Sequence, residues 1–325
     1  MIFKDSLFFV HIPKTAGTSF RVALAGALGQ EAVICDYGAS VPETSECVRE
    51  YVFARQDHYG LFSVLAADGR RFCITGHVPV KKYAAFFEAR NILLFLRDPV
   101  QRVLSNYSQF CRVNGYTGTL EAFCQEPRHI NRQSQFLGKY PLPLVGLAGI
   151  QEQYAESLTL LAHTQGLALQ EMGLNVNGEG DSRERETPDA SVLALIRRLN
   201  GKDISLYRQG QALLAQRLAL LAQGMPWTYG QVKQLRPASV TGYAQPEQGD
   251  DAVRVAVYRN GTQVAEVAAT RYRPGLREYN VARNGFIGFD HAFDTPLEPD
   301  ERVECRVFDT GQVLSGPMTI RPGGG

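Results

Sequence analysis

The sequence lacks the features that define several large classes of protein. It has no run of the ~18 apolar residues that a membrane-spanning helix needs. It has no C-x-x-C pair and no histidine spaced near a cysteine as in a zinc site. Its 34 basic and 33 acidic residues leave a net charge of +1, which gives no reason to expect an anionic membrane or nucleic acid as a partner. We therefore expect no transmembrane segment and no nucleic-acid partner.

We also expect no secretion signal at the beginning of the chain. Lys4 and Asp5 interrupt it, and the apolar run that follows, Leu7–Val10, is too short for a signal-peptide core. The six cysteines stand mostly in apolar runs, so they are predicted to be reduced structural thiols. These features predict a cytoplasmic protein, and 325 residues suggest about two domains.

Short apolar segments alternate with helical patterns over the first part of the chain. Candidate strands lie at 6–12, 72–75, 91–96 and 144–150, and helical spacing follows them. This alternation predicts an α/β domain with a central parallel sheet, which we assign to residues 1–235. A polar stretch at 173–188 predicts an exposed loop.

The last part of the chain has a different pattern. Val253, Val255 and Val257 alternate with other residues, and Asn260 and Gly261 form a hairpin signal. Helical periodicity is absent there. Residues 245–325 are therefore predicted to form a small, sandwich-like, all-β domain.

A phosphate-binding loop is indicated at 11–19, between the first strand and the first helix. Gly17 allows close approach of a ligand, Thr15, Thr18 and Ser19 carry hydroxyls, and Lys14 adds a positive charge. A simple capped turn needs only one hydroxyl and no lysine, so we favour an anion site. The loop is not a Walker A motif, because Lys14 precedes the glycine and no magnesium-binding acid stands out.

A second group of polar residues follows the apolar strand at 91–96. Arg97 stands at the carboxyl end of that strand, where ligands of α/β sheets bind, and it has the geometry to grip a phosphate. Ser105 lies about two helical turns on. Asp98 either orients Arg97 or caps the helix, and Arg102 is interpreted as solvated or structural. On the residues alone, a structural ion pair explains Arg97 nearly as well.

Together these two segments resemble the PAPS-dependent sulfotransferases, and among them the carbohydrate sulfotransferases of the heparan 2-O-sulfotransferase type and their bacterial relatives. Residues 13–19 match a P-K-x-[AG]-[GS]-[ST]-[ST]-like loop, and residues 97–107 match an R-D-P-x-x-R-x-x-S-x-Y segment. Weaker matches are T-G-H at 75–77, N-x-Q-x-x-x-L at 131–137 and E-x-[FY]-x-x-S-L at 152–158. The resemblance covers about residues 1–220.

The resemblance implies a P-loop-like, three-layer domain that transfers a sulfuryl group from PAPS to a hydroxyl of a carbohydrate acceptor, with PAP as product and no metal. The 13–19 loop would hold the 5′-phosphosulfate, and the later segment the 3′-phosphate. The donor-binding residues it implies are Lys14, Thr15, Ala16, Gly17, Thr18, Ser19, Arg97 and Ser105. Lys14 would also stabilise charge on the transferred group.

His77 is the predicted base, since imidazole titrates near neutrality and His77 occupies the T-G-H position. His11 is the rival base, although it is better placed to orient the loop, and Glu152 is a candidate to assist. Three other functions stay open. They are a nucleotide kinase with a variant loop, a non-catalytic glycan-binding protein, and sulfation of a lipid or small-molecule hydroxyl. The acceptor, the role of the β domain and the oligomeric state are not determined.

Overall fold

The computed structural model describes residues 1–169 and 188–320. The predicted loop at 173–188 lies outside the described residues, apart from Pro188. The chain divides into two compact units: the first comprises 1–87 and 91–214, and the second comprises 88–90 and 215 onward. The assignment of a donor-binding domain to 1–235 and an accessory domain to 245–325 stays a prediction.

The first unit is built on a five-stranded, fully parallel sheet with the strand order β2-β3-β1-β4-β5. Every residue of these strands is buried, as expected for a parallel sheet covered on both faces. The predicted α/β class is therefore confirmed. β2 is not among the strands predicted from the sequence, because its apolar run, 32–35, is only four residues long. The strands are β1 (Leu7–Val10), β2 (Val33–Asp36), β3 (Cys73–Gly76), β4 (Ile92–Leu96) and β5 (Leu147–Ile150).

Helices connect and cover these strands. Among them, α3, α4 and α7 pack together through a small apolar cluster. A short helical turn, Glu46–Val48, continues as a π-helical turn, Arg49–Ala54, between β2 and α2. The helices are α1 (Gly17–Leu28), α2 (His58–Asp68), α3 (Pro99–Asn114), α4 (Leu120–Gln125), α5 (Arg132–Leu137), α6 (Tyr154–Gln165), α7 (Ala190–Leu199) and α8 (Gly201–Ala222).

The sheet carries helices on both faces. Successive side chains of a strand point to opposite faces, so Phe8 and Phe9 of β1 meet different helices. The ring of Phe9 lies 4.6 Å from that of Phe20 in α1. On the other face, Tyr83 lies 5.6 Å from both Phe8 and Phe62 of α2. The predicted three-layer arrangement is thus confirmed.

The strand order creates a crevice between β1 and β4. The chain leaves β1 and moves two positions to one side to form β2, whereas it leaves β4 and moves to the other side to form β5. Because such crossovers are right-handed, the helices that follow β1 and β4 lie on opposite faces. Their preceding loops therefore diverge at the carboxyl ends of the strands, which is where α/β sheets bind ligands. These two loops contain Lys14 and Arg97.

The second unit contains two antiparallel sheets, β10-β7-β6 and β12-β11-β8-β9. One buried apolar cluster takes residues from both, including Phe289 of β10 and Val257 of β8, so the predicted sandwich-like region is confirmed. The Asn260–Gly261 turn has positive φ angles at both residues, as a tight hairpin requires. The elements are β6 (Thr228–Arg236), β7 (Ser239–Pro246), β8 (Arg254–Arg259), β9 (Thr262–Ala268), α9 (Pro274–Arg277), β10 (Gly288–Ala292), β11 (Val303–Val307) and β12 (Val313–Met318).

The cysteines behave as structural thiols. All six are free, and four of them, Cys35, Cys73, Cys124 and Cys305, are buried. Burial raises the pKa of Cys73 and of Cys305 to about 12, so both stay protonated and unreactive at neutral pH. Over 1–169 and 188–320, no group of three His, Cys, Asp or Glu side chains is placed to hold a metal ion. None of the helices in those ranges is long and apolar enough to cross a membrane.

Candidate functional site

The 13–19 loop follows an unusual backbone path between β1 and α1. Lys14 and Ala16 both adopt left-handed backbone conformations, with φ of 70° and 65°, which are uncommon for residues with side chains. Such turns aim neighbouring N–H groups into one concave space that suits an anion. Ala16 is the N-cap of α1 and provides no side-chain hydrogen bond to the helix. The N-cap of α1 is therefore neither Thr nor Ser, and the assignment of this loop as an anion site stays a prediction.

The predicted side chains of the loop take different positions. Thr15 is fully buried, and its hydroxyl donates to the carbonyl of Ile12 over 2.9 Å, so it braces the loop. The backbone N–H of Thr15, and not its hydroxyl group, is therefore the group that can contact a ligand. Thr18 is exposed, Ser19 is buried and Lys14 is half-buried. The loop thus combines a cationic side chain and an exposed hydroxyl with the N–H groups of the turn.

Arg97 connects the two sequence motifs. Its guanidinium Nη1 donates to the carbonyl of Lys14 over 3.3 Å. The fully buried Gln133 binds the main chain of Arg97 with both ends of its amide. Its Oε1 accepts the Arg97 N–H over 2.9 Å, and its Nε2 donates to the Arg97 carbonyl over 3.0 Å. The two segments that resemble donor-binding motifs therefore meet at one place, although 83 positions separate them in sequence.

The helix that follows Arg97 is anchored by carboxylates. Asp98 caps α3 by accepting the N–H of Gln101 over 2.9 Å, which decides between its two predicted roles. The N–H of Asp98 donates to Oε1 of Glu152 over 2.9 Å, and the Tyr207 hydroxyl donates to Oε2 over 3.0 Å. Glu152 thus links the N-cap of α3 to Tyr207 of α8. Ser105 lies half-buried on α3, and its hydroxyl has no hydrogen-bond partner in the described part of the chain.

Two other polar residues of the motifs are structural. Arg102 is fully buried and its Nη2 donates to the carbonyl of His129 over 2.8 Å, which agrees with the structural alternative for this residue. Asn131 accepts the N–H groups of Lys202 and Asp203 with its Oδ1 over 3.0 and 3.1 Å, and so caps α8. Neither side chain is available to contact a ligand in this arrangement.

Three rings meet at the carboxyl ends of β1, β3 and β2. His77 lies edge-on to His11 at 4.6 Å between ring centroids and to Tyr37 at 4.8 Å. The Tyr37 hydroxyl is 2.8 Å from Nδ1 of His11. His11 is buried whereas His77 is exposed. Of the two histidines proposed as bases, only His77 therefore offers an open ring to an acceptor.

Both histidines are neutral at pH 7. Burial, reinforced by His77 and Arg21, lowers the pKa of His11 to about 3. Desolvation by the surrounding protein, reinforced by the positive charge of Arg132, lowers the pKa of His77 to about 4 although its ring reaches solvent. An exposed neutral imidazole can accept a proton from a bound hydroxyl.

Tyr37 and Asp36 are not among the predicted site residues, because β2 was not predicted. Asp36 is fully buried at the end of β2, where it pairs with Lys82 Nζ at 2.5 Å and accepts the Tyr83 hydroxyl at 2.6 Å. These contacts fix the segment that follows His77. The available signal in the sequence was the apolar run 32–35 followed by an acid and a tyrosine, which has the length of a buried strand.

Comparisons with known proteins identify similar solved structures. A crystal structure of a sulfotransferase from Alicyclobacillus acidocaldarius aligns with 65% of this chain and 96% of its own, at 16% identity and a TM-score of 0.37. A mouse sulfotransferase, SULT7A1 complexed with PAP, aligns with 62% of this chain and 66% of its own, at 13% identity and a TM-score of 0.30. No family model matches the chain, and no curated protein matches it.

The assembled site has two chemically distinct parts. One is a cradle of N–H groups with Lys14 and Arg97, which suits a ligand carrying more than one anionic group. The other is the exposed neutral ring of His77, which suits proton removal. Because both lie at the carboxyl ends of neighbouring strands, the arrangement can position an anionic donor next to a hydroxyl acceptor.

Proposed function

We propose that this protein is a PAPS-dependent sulfotransferase that transfers a sulfuryl group to a hydroxyl of a carbohydrate. The observation that carries the proposal is the hydrogen bond between the Arg97 guanidinium and the main chain of Lys14, because it joins both motifs of the sequence resemblance at one crevice. The exposed, neutral His77 beside that crevice supports a transfer reaction over simple binding.

The residues of the crevice fit such a donor. The N–H groups of the 13–19 loop, uncapped by Ala16, would bind the 5′-phosphosulfate together with Lys14. Arg97 and the hydroxyl of Ser105 would bind the 3′-phosphate and so separate PAPS from nucleotides that lack it. Gln133 would keep Arg97 in place through its two backbone hydrogen bonds.

PAPS supplies the activated sulfuryl group: the S–O bond to its 5′-phosphate breaks as the acceptor oxygen forms a new O–S bond. Lys14 and the loop N–H groups would stabilise the negative charge that accumulates on the leaving phosphate. His77 would take the proton of the acceptor hydroxyl on Nδ1 or Nε2, which requires the neutral ring found here. Positioning and electrostatics thus account for the chemistry, as in phosphoryl transfer.

Donor binding is tested by titrating the purified chain with PAP by calorimetry, without added metal. We expect PAP to bind with micromolar affinity. Replacing PAP by 5′-AMP removes the 3′-phosphate, and Arg97→Ala removes the guanidinium that would bind it. Each change should therefore weaken binding at least about tenfold. The matched control is Arg70→Ala, because the Arg70 side chain is 59% exposed and pairs only with surface acids. Failure of the wild-type chain to bind PAP would refute the proposal.

The acceptor class is tested separately with labelled PAPS. The chain is offered neutral and uronic-acid-containing oligosaccharides, a phenol and a hydroxylated lipid, each with and without EDTA. We expect label only in a carbohydrate and no effect of EDTA. Label in the phenol or the lipid would move the assignment to small-molecule sulfation. PAP binding with no transfer to any acceptor would favour a non-catalytic role.

A further inference from the structure

His11 lies directly against the phosphate-binding loop. A Cβ atom built on Gly17, the first residue of α1, would lie 2.2 Å from Nε2 of His11 and 2.0 Å from its Cδ2. The edge of the ring that carries Nε2 therefore covers the Cα of Gly17. This edge thus lies against the first residue of α1, which directly follows the left-handed turns at Lys14 and Ala16.

Tyr37 is hydrogen-bonded to Nδ1 of the His11 ring at 2.8 Å. Burial raises the pKa of the Tyr37 phenol, which keeps its proton, and the low pKa of His11 keeps the imidazole neutral. The phenol oxygen has no hydrogen-bond partner except Nδ1 of His11 in the described part of the chain. When the phenol donates to Nδ1, the single proton of the neutral ring is left on Nε2.

The Nε2–H group of His11 is available to a ligand. It makes no hydrogen bond to residues 1–169 or 188–320, because the hydrogen bond of this ring runs through Nδ1. A polar N–H beside an anion cradle, without a protein acceptor, is satisfied by an oxygen of the bound anion.

We propose that His11 is a second catalytic residue of the donor side, whose Nε2–H donates to an oxygen of the anionic group held by the 13–19 loop, and that Tyr37 is its positioning residue. This inference rests on the proposed function. The two neighbouring histidines then have different roles: His77 accepts a proton, whereas His11 donates a hydrogen bond. The hydrogen bond from a neutral N–H donor becomes stronger as negative charge develops on the leaving oxygen. Because Tyr37 already holds the His11 ring in place, the ring does not have to reorient during the reaction.

The tautomer is tested first, by NMR of the chain labelled with ¹⁵N-histidine, without any ligand. We expect His11 to be protonated on Nε2 and unprotonated on Nδ1 at pH 7. Tyr37→Phe should shift His11 toward a mixture of tautomers, because the donor to Nδ1 is gone. The matched control, Tyr59→Phe, removes a phenol that is 61% exposed and should leave the His11 signals in place. A His11 protonated on Nδ1 in the wild type would overturn the inference.

Titration with PAP then separates this inference from the proposed function. We expect the Nε2–H signal of His11 to move as PAP binds. If PAP does not bind at all, the proposed function fails and the inference fails with it. If PAP binds by calorimetry while the Nε2 signal stays unchanged, the donor site stands and the role of His11 is refuted.

Kinetics provide a readout that a purely structural role would not give. Removing a donor to a developing oxyanion costs about 10²–10³ in kcat, so we expect a loss of this size in His11→Leu with an unchanged acceptor KM. His11→Gln can place an amide N–H near the position of Nε2, so we expect its kcat to be at least about tenfold higher than that of His11→Leu. Equal activity of the two variants, or a loss confined to the acceptor KM, would contradict the proposal.

Discussion

At the scale of single residues, the environment changes what each side chain can do. His11 and His77 are both histidines in contact, yet one is buried against the loop and hydrogen-bonded to Tyr37, and the other has an open ring. Both have a lowered pKa, so both are neutral bases or donors at pH 7. Accessibility, more than pKa, therefore separates the roles we propose for them.

The first residue-scale prediction concerns His77. His77→Ala should lower kcat by about 10²–10⁴, the usual contribution of a general base, and leave PAP affinity unchanged. Since the pKa of His77 is about 4, its protonation should not affect activity between pH 5 and 8 and should reduce kcat/KM only as pH falls toward 4. Steady-state kinetics over pH measure both effects. The exposed His163→Ala serves as control, and wild-type-like activity of His77→Ala would remove the base from our mechanism.

The second residue-scale prediction concerns Gln133. Gln133→Leu removes both hydrogen bonds to the main chain of Arg97 and leaves its N–H and carbonyl groups without that partner. We expect a loss of about 1–3 kcal/mol in the free energy of unfolding and a weaker affinity for PAP, because Arg97 is no longer held in place. Urea denaturation and calorimetry measure the two. The control Gln135→Leu, at an exposed position of α5, should change neither the free energy of unfolding nor the PAP affinity. An unchanged PAP affinity in Gln133→Leu would mean that Gln133 is not needed to position Arg97.

At the scale of elements, the N-terminus of α1 joins the sheet to the proposed donor site. The helix starts at Gly17, where the ring of His11 leaves no room for a side chain. The shape of the predicted anion-binding loop thus depends on His11, which directly follows β1, as much as on residues 13–19. The requirement for glycine at this position comes from the close contact with His11, since the backbone at Gly17 does not have a positive φ angle.

The element-scale prediction compares two glycines of α1. Gly17→Ala forces the new methyl group into the His11 ring, so we expect about 1–3 kcal/mol of destabilisation and a loss of PAP affinity. Gly26→Ala meets nothing within 4 Å on the same helix and should stabilise the chain by about 0.5–1 kcal/mol. Thermal unfolding and PAP titration compare the pair. If both variants behave alike, the close packing of His11 on the loop is wrong.

At the scale of the whole molecule, buried neutral histidines link stability to pH. His11 and His129 are both buried, and burial lowers their pKa values to about 3 and about 4. The unfolded chain titrates its histidines near 6.5. Below that pH the unfolded state binds protons that the folded state does not, so stability should fall as pH decreases from 6.5 toward 4.

The whole-molecule prediction follows from this linkage. Each such histidine should contribute a slope of up to about 1.4 kcal/mol per pH unit between pH 6.5 and its folded-state pKa, and nothing above pH 6.5. Urea midpoints at pH 8, 6.5, 5 and 4 measure the slope. His129→Gln should reduce this slope, because it removes a histidine whose pKa is lowered by burial. An unchanged slope in His129→Gln would mean that His129 binds its proton in the folded chain as well.

The sequence by itself determined the α/β class, the sandwich-like C-terminal region and the positions of Lys14 and Arg97, because these depend on local apolar periodicity and on short contiguous motifs. It did not predict β2, and with it Tyr37, since a four-residue apolar run carries little periodic signal. Only the tertiary structure decided the partners: Tyr37 with His11, Gln133 with Arg97, Arg97 with Lys14. These pairs are 26, 36 and 83 positions apart. The strand order brings them together, and no local pattern records that order.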